Sequence, residues 1–180
     1  LFYKEVQDYK LRQGVTTEVG GNCGFTAAPL YAKTAKELRK FMAFITPPSG
    51  VDWDWSTFDD YLQKVSDSSP ATNLIPLGGH GTIRIAVMGV EQRPPTPNEL
   101  SEMEMLVDAA MESGAYGIST GLVYVPGNYA QTDEIVALAK VVSRYGGIYA
   151  THMRDEGENL IASVEEAITI SQDADIPVQI

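Results

Sequence analysis

The sequence predicts an α/β fold with a parallel sheet, built as about five consecutive strands of a (β/α)8 barrel. Short apolar runs begin at residues 115, 148 and 176, and one helix-like stretch fills each gap of about 30 residues between them. Parallel strands require cover on both faces, which such helices provide. A closed barrel of eight units takes about 250 residues, more than the 180 present, and an open, doubly wound sheet is the alternative.

The first half of the chain is the less regular half. Apolar residues mixed with charges open it, a β-branched run follows, and a glycine-rich turn ends that run. Thr34 with Glu37 and Ser56 with Asp59 match the capping-box pattern, which marks helix starts. The expected elements are a helix or approach segment at 1–12, a strand at 14–19, a turn at 20–24, and helices starting near 34 and 56, with a loop at 46–56.

The second half alternates strands and helices. Thr96, Pro97 and Glu99 form an N-cap, a first-turn proline and a capping-box acid, and Thr132 is expected to cap the next helix. The last helix is expected to bury Leu160, Ile161, Val164 and Ile168. The expected strands are 73–77, 115–119, 148–152 and 176–180, the expected helices are 96–114, 132–146 and 158–173, and a proline-rich connection follows Gly81.

Composition excludes some classes of function. The net charge is −11 and the 13 basic residues are scattered, which argues against a nucleic-acid partner. No run approaches the roughly 18 apolar residues of a membrane span, so no membrane partner is expected. The single cysteine cannot form an internal disulfide, which fits a reducing, cytoplasmic location.

Four side chains that are able to bind a metal or take part in a reaction follow predicted strands: Cys23, His80, Tyr124 and His152. In a parallel barrel the carboxyl ends of all strands meet on one face, so residues far apart in sequence converge there. Thiolate and imidazole are donors that zinc prefers. The ordinary alternatives are a buried thiol for Cys23 and a strand-capping role for His152.

Several charged residues have ordinary explanations as well as functional ones. Arg84 and Arg154 are able to bind a substrate carboxylate through a planar fork, although an ordinary surface position or a salt bridge is the favoured explanation for each. Asp155 and Glu156 are able to support a metal ligand or to act as acid-base groups, although a position in a solvent-exposed loop is the favoured explanation. The Glu165-Glu166 pair is expected on the outer helix face.

Five motifs, in this order, resemble the N-acyl-D-amino acid deacylases, also called D-aminoacylases, of the amidohydrolase superfamily. The resemblance covers nearly the whole chain, and the Asn-Cys-Gly turn with the Thr-His-x-Arg-Asp-Glu strand end is its most specific part. The motifs are Gln13-Gly14-Val15-Thr16-Thr17, Gly21-Asn22-Cys23-Gly24-Phe25, Gly79-His80-Gly81-Thr82-Ile83-Arg84, Ser119-Thr120-Gly121-Leu122-Val123-Tyr124 and Gly146 to Glu156.

The resemblance implies a zinc-dependent enzyme on a distorted (β/α)8 barrel that hydrolyses the amide of N-acyl-D-amino acids. Cys23 and His152 would be zinc ligands, and Tyr124 and His80 would line the substrate pocket, with Tyr124 donating to the scissile carbonyl oxygen. Residues 1–180 would form part of the barrel domain, with a helical and loop insertion at about 33–72.

The family's remaining site residues are expected outside this sequence. Its His-x-His pair would precede Leu1, while a third tight zinc ligand and the catalytic aspartate that acts as general base would follow Ile180. The remainder of the parent chain would complete the barrel, and the 180 residues alone are expected to be inactive. The alternatives are another amidohydrolase reaction, such as cyclic-amide or dihydroorotase-type hydrolysis, and a non-catalytic fragment.

Overall fold

A computed structural model describes residues 4–46 and 51–180, and its helices and strands alternate along the second half of the chain. Two short 3-10 turns follow strand ends, at Asn22–Gly24 and Gly127–Tyr129. The elements are α1 (Lys4–Leu11), β1 (Thr17–Gly20), α2 (Ala35–Met42), α3 (Phe58–Asp67), β2 (Asn73–Pro76), β3 (Gly78–Gly79), α4 (His80–Met88), α5 (Pro97–Glu112), β4 (Gly117–Gly121), α6 (Thr132–Ser143), β5 (Ile148–His152), α7 (Leu160–Ala174) and β6 (Val178–Gln179).

The described strands lie side by side in chain order, and every pair is parallel. β1 pairs with β2, and β3, β4, β5 and β6 form the second group. β2 and β3 are one stretch of chain interrupted at Leu77, whose N–H donates to the Gly20 carbonyl at 2.8 Å. The same stretch reaches the other neighbour, since the Tyr116 N–H donates to the Pro76 carbonyl at 2.8 Å. Five strand positions in sequential parallel order confirm the expected α/β fold.

The segment after Gly79 differs from the expected loop. Residues His80–Met88 form α4, a helix of nine residues. Eight of them are buried, so this helix has no face exposed to solvent. The alternation of apolar and polar residues that reveals a surface helix is therefore absent from its sequence.

The helix starts follow the sequence patterns in part. Thr96 and Glu99 form the expected capping box at α5. At α3 the capping box is Thr57 with Asp60, one residue after the expected pair. Thr34 makes no side-chain capping bond at α2, and Thr132 is the first residue of α6 rather than its cap.

The capping carboxylate of α5 makes this helix sensitive to acid. Arg93 binds both Glu99 oxygens, at 2.7 and 2.6 Å, and with the Thr96 N–H it lowers the pKa of Glu99 to about 2. A folded pKa below the unfolded value means that this stabilisation is complete above pH 4.5 and is lost as pH falls towards 2. We expect Glu99→Gln to reduce the acid-induced fall in the urea midpoint between about pH 6 and about pH 3. The control Glu91→Gln removes an exposed carboxylate. If the urea midpoint of Glu99→Gln falls with acid as much as that of Glu91→Gln, the role of Glu99 is contradicted.

The buried face of α7 is not the expected one. Leu160, Ile161 and Ile168 are 39%, 70% and 44% exposed. Because apolar residues occur all around this helix, their spacing alone does not select the face that packs. The buried residues of α7 are Ser163, Ala167, Ile170 and Ala174.

The segment expected as an insertion, about 33–72, contains α2 and α3. The loop between α2 and α3 is attached to the residues after β1 by Trp55, whose indole N–H donates to the Ala27 carbonyl at 2.8 Å. Its status as an insertion into a barrel stays a prediction, and residues 47–50 of the expected 46–56 loop lie outside the described residues. Among the described residues, no helix combines the length and the apolar character needed to cross a bilayer.

Candidate metal centre

The Cys23 thiol is presented by a constrained turn directly after β1. Cys23 has a φ of 56° and a ψ of 26°, the left-handed conformation that non-glycine residues rarely adopt. Its neighbours Gly21 and Gly24 also have positive φ values, 89° and 76°. The hydroxyl of Ser119, on β4, accepts from the Gly24 N–H at 2.9 Å and donates to the Gly21 carbonyl. These two bonds hold both ends of the turn.

The imidazole of His152 is placed by the end of β5 beside β4. His152 is paired in register with Gly121, and the Leu122 N–H donates to the His152 carbonyl at 2.9 Å. A Cβ on Gly121 would lie 2.3 Å from the Cys23 carbonyl oxygen. A glycine at this position is therefore required for the Cys23 turn to approach the strand that carries His152.

The two predicted metal ligands come together although 129 residues separate them in sequence. The Cys23 Sγ lies 3.7 Å from the His152 Nδ1. A zinc ion at about 2.3 Å from sulfur and about 2.0 to 2.1 Å from nitrogen, with a tetrahedral angle, separates its donors by about 3.6 Å. The observed pair therefore fits two adjacent zinc ligands.

The surroundings of the pair suit a cation. Burial raises the pKa of the Cys23 thiol, which favours the neutral form until a bound cation stabilises the thiolate. The other ring nitrogen of His152, Nε2, lies 3.3 Å from a carboxylate oxygen of Glu156. A carboxylate on the second ring nitrogen is a common way of orienting a metal-binding histidine. Cys23, His152 and Glu156 border a cleft of about 330 Å³.

The number of donors limits what this part of the chain does alone. Within residues 4–46 and 51–180, no group of three or more His, Cys, Asp or Glu side chains is placed to hold a metal ion. Cys23 and His152 are thus a pair of donors, and a catalytic zinc site commonly has three protein ligands.

Tyr124 stands next to this pair. Its ring meets the His152 ring edge to face, with centroids 5.1 Å apart, and the Phe25 ring at 5.3 Å. The Tyr124 side chain is partly exposed, at 37%. A phenol at this position is able to donate a hydrogen bond to a group bound beside His152.

His80 does not lie beside these side chains, and its expected place in the substrate pocket stays a prediction. Its side chain has no exposed surface, and its Nε2 lies 2.8 Å from a carboxylate oxygen of Glu134. Glu134 also binds Arg84 through both oxygens, at 2.8 and 2.6 Å. His80 starts the buried helix α4, so it points into a buried ionic cluster of these three residues instead of the cleft.

Glu134 is the carboxylate that meets both His80 and Arg84 in this buried cluster. Burial alone would raise the pKa of Glu134, but His80 and Arg84 together hold it below its ordinary value. The Arg84 guanidinium also donates to the Arg93 carbonyl at 2.5 Å. Arg84 therefore serves a salt bridge in the core and not a substrate carboxylate.

Three residues with a part in this region were missed by sequence analysis: Ser119, Glu134 and Glu166. Glu166 is partly buried and bound by Arg154, whereas it was expected on the outer helix face. For Glu134 a signal was present, since His80 and Arg84 lie four residues apart in an apolar segment and require a counter-charge. Ser119 gives no such signal, because its role depends on a turn that is distant in sequence.

Removing the Ser119 hydroxyl should weaken metal binding without touching a ligand. In Ser119→Ala the Gly24 N–H and the Gly21 carbonyl lose their buried partner, which leaves the strained Cys23 turn free to relax. We expect zinc affinity in the full-length protein to fall roughly 10- to 100-fold, measured by competition with a chromophoric chelator. The control Ser113→Ala removes an exposed hydroxyl from the end of α5 and should leave affinity unchanged. Equal affinities in the two variants would contradict the role of Ser119.

Comparison with known proteins finds that the relatives of this chain are deacylases. No family model matches the chain. The D-aminoacylase of Alcaligenes xylosoxydans xylosoxydans is 42% identical over 178 residues, which is 95% of this chain and 34% of that protein. The chain thus spans about a third of the length of the curated relatives it matches.

Solved structures agree in fold. A crystal structure of D-aminoacylase, described as defining a novel subset of amidohydrolases, superimposes with a TM-score of 0.82 at 39% identity, over 97% of this chain and 36% of that one. N-acyl-D-glutamate deacylase from Bordetella bronchiseptica, in complex with zinc and a phosphonate inhibitor, gives a TM-score of 0.81 at 32% identity, over 96% and 35% of the two chains. The described strands are therefore part of an amidohydrolase barrel.

Proposed function

Because this chain belongs to the family of N-acyl-D-amino acid deacylases within the amidohydrolases, we propose that the whole protein is a zinc-dependent hydrolase of N-acyl-D-amino acids. Its products are a D-amino acid and a carboxylic acid. The observation that carries the proposal is the 3.7 Å separation of the Cys23 Sγ and the His152 Nδ1, which suits two ligands of one zinc ion. The zinc in the related N-acyl-D-glutamate deacylase supports the choice of metal.

Each residue of the site has a separate task in the reaction. Cys23 and His152 hold the zinc, which when bound supplies Lewis-acid polarisation of the scissile carbonyl. Glu156 orients the His152 ring. Tyr124 donates its phenolic proton in a hydrogen bond to the carbonyl oxygen, where negative charge develops as water adds to the carbon. The C–N bond then breaks, and the leaving amine takes the proton that a general base removed from water.

The general base belongs to the part of the proposal that rests on resemblance alone. The family's aspartate is expected beyond Ile180, and no catalytic acid or base is assigned within residues 1–180. The same proposal includes a cytoplasmic location, supported by the single, unpaired cysteine.

The proposed activity is tested by assaying the full-length protein for D-amino acid release. N-acetyl-D-amino acids with neutral, aspartate and glutamate side chains are compared with their L counterparts and with cyclic ureides. Hydrolysis of at least one D substrate, with no action on its L counterpart, is the expected result. Hydrolysis of the cyclic ureides alone would assign the scaffold to a different amidohydrolase reaction, and inactivity of the zinc-loaded protein on every compound would refute the proposal.

A further inference from the structure

Arg154, two residues beyond His152, makes contacts to two separate segments of the chain. Its Nε and Nη2 donate to the two oxygens of Glu166, at 2.9 and 2.8 Å, in a bidentate pair. Its Nη1 donates to the Asn128 carbonyl at 3.1 Å, and its Nη2 also donates to the Ala130 carbonyl at 3.0 Å. A guanidinium has the rigid geometry to satisfy these acceptors together, which a flexible ammonium lacks.

Glu166, on α7, fixes this guanidinium. One of its oxygens also accepts from the Thr132 hydroxyl at 2.9 Å, so the carboxylate joins α6 to α7. The side chains of Arg154 and Glu166 are 31% and 14% exposed, so water screens the pair only partly. Burial alone would raise the pKa of Glu166, but the bonds from Arg154 and Thr132 hold it below its ordinary value.

The carbonyls that Arg154 binds belong to the loop that carries Tyr124. The Asn128 N–H donates to the Tyr124 backbone carbonyl at 2.8 Å. Asn128 therefore contacts Tyr124 through its N–H and Arg154 through its carbonyl. The Ala130 N–H donates to the Gly127 carbonyl at 3.1 Å, which closes the following turn. A continuous chain of hydrogen bonds therefore runs from Glu166 through Arg154 to Tyr124.

From this chain of contacts we infer that Arg154 and Glu166 are positioning residues for the reaction, and this inference rests on the proposed function. They clamp the loop at 122–131 so that the Tyr124 hydroxyl remains directed at a carbonyl bound beside His152. The pair is only partly buried, so its expected contribution to overall stability is small. The effect of this pair is instead on the geometry of Tyr124, because the guanidinium also binds two backbone carbonyls of its loop.

Loosening the clamp is expected to lower turnover and to leave the metal in place. In Glu166→Gln the guanidinium loses its ionic partner, and we expect kcat for an N-acyl-D-amino acid to fall about 10- to 100-fold, as misplacement of a catalytic group by about 1 Å does. KM and zinc content should stay close to wild type. Glu165→Gln removes the same charge from the adjacent, exposed position of α7 and should have no effect. Equal kcat values in Glu166→Gln and Glu165→Gln would overturn the inference.

A double-mutant cycle separates positioning from a general loss of stability. If the clamp acts through Tyr124, Glu166→Gln should have little further effect on kcat once Tyr124→Phe has removed the phenol. Multiplicative losses in the double variant would show that Glu166 acts independently of Tyr124, and would contradict the proposed path.

Hydrogen exchange tests the clamp without relying on catalysis. Amide exchange in the peptide 122–131 should rise at least about tenfold in Glu166→Gln relative to Glu165→Gln, with exchange in β4 unchanged. Should Glu166→Gln fail to fold, Arg154→Lys keeps the charge, loses the fork and should show the same local increase. Wild-type exchange in this peptide would refute the clamp. A wild-type protein that is inactive on D substrates would refute the proposed function only, since the exchange result stands by itself.

Discussion

Replacing Cys23 with serine in the full-length protein is expected to abolish tight zinc retention. Serine keeps the size of the side chain but substitutes a hydroxyl for the thiolate, which zinc prefers. Changes to residues that merely support a zinc ligand already cost about 10- to 100-fold in affinity, so loss of a ligand should cost more than about 100-fold. The measurement is zinc per protein after dialysis against a weak chelator.

Cys23 is the only cysteine among these 180 residues, so no other thiol within this part of the chain is able to replace it as a sulfur donor. The control is the unfolding of metal-free protein, because serine fits the same turn and the urea midpoint should match that of metal-free wild type within error. Stoichiometric zinc in Cys23→Ser would show that the thiol is a core residue and not a ligand.

Removing the charge of Glu134 is expected to cost about 3 to 5 kcal/mol in the free energy of unfolding. In Glu134→Gln the guanidinium of Arg84, which has no exposed surface, loses the carboxylate that compensates it. A loss of this size is a large part of the roughly 5 to 15 kcal/mol that stabilises a typical domain. The urea midpoint, with the slope of the transition checked for change, measures it.

Two comparisons isolate the buried charge as the cause. Glu158→Gln neutralises an exposed carboxylate and should shift the midpoint little. Adding Arg84→Met to Glu134→Gln removes the uncompensated charge and should recover part of the lost stability. A Glu134→Gln variant as stable as Glu158→Gln would contradict a buried ionic cluster.

The sequence was informative where local chemistry and global fold agree. The Thr96 capping box and the strand that ends at His152 were predicted correctly, because caps and apolar runs act over a few residues. The meeting of Cys23 and His152 also followed from sequence, because parallel strands bring their carboxyl ends to one face.

The structure differs from the sequence-based expectations where contacts between distant elements determine the conformation. α4 is buried on nearly every side and so lacks the periodicity by which helices are recognised. His80 and Glu166 were assigned from the elements that carry them, and Glu134 was given no role. The contacts of all three depend on partners from other elements. Which charge meets which across the fold is set by tertiary contacts, and no spacing within one element encodes it.

X-ray absorption at the zinc edge of the full-length protein shows whether Cys23 and His152 bind the same zinc ion. We expect one sulfur neighbour at about 2.3 Å and nitrogen or oxygen neighbours at about 2.0 to 2.1 Å, with the sulfur contribution absent in Cys23→Ser and a nitrogen contribution lost in His152→Ala. A bound zinc ion with only nitrogen and oxygen neighbours in the wild-type protein would contradict this expectation.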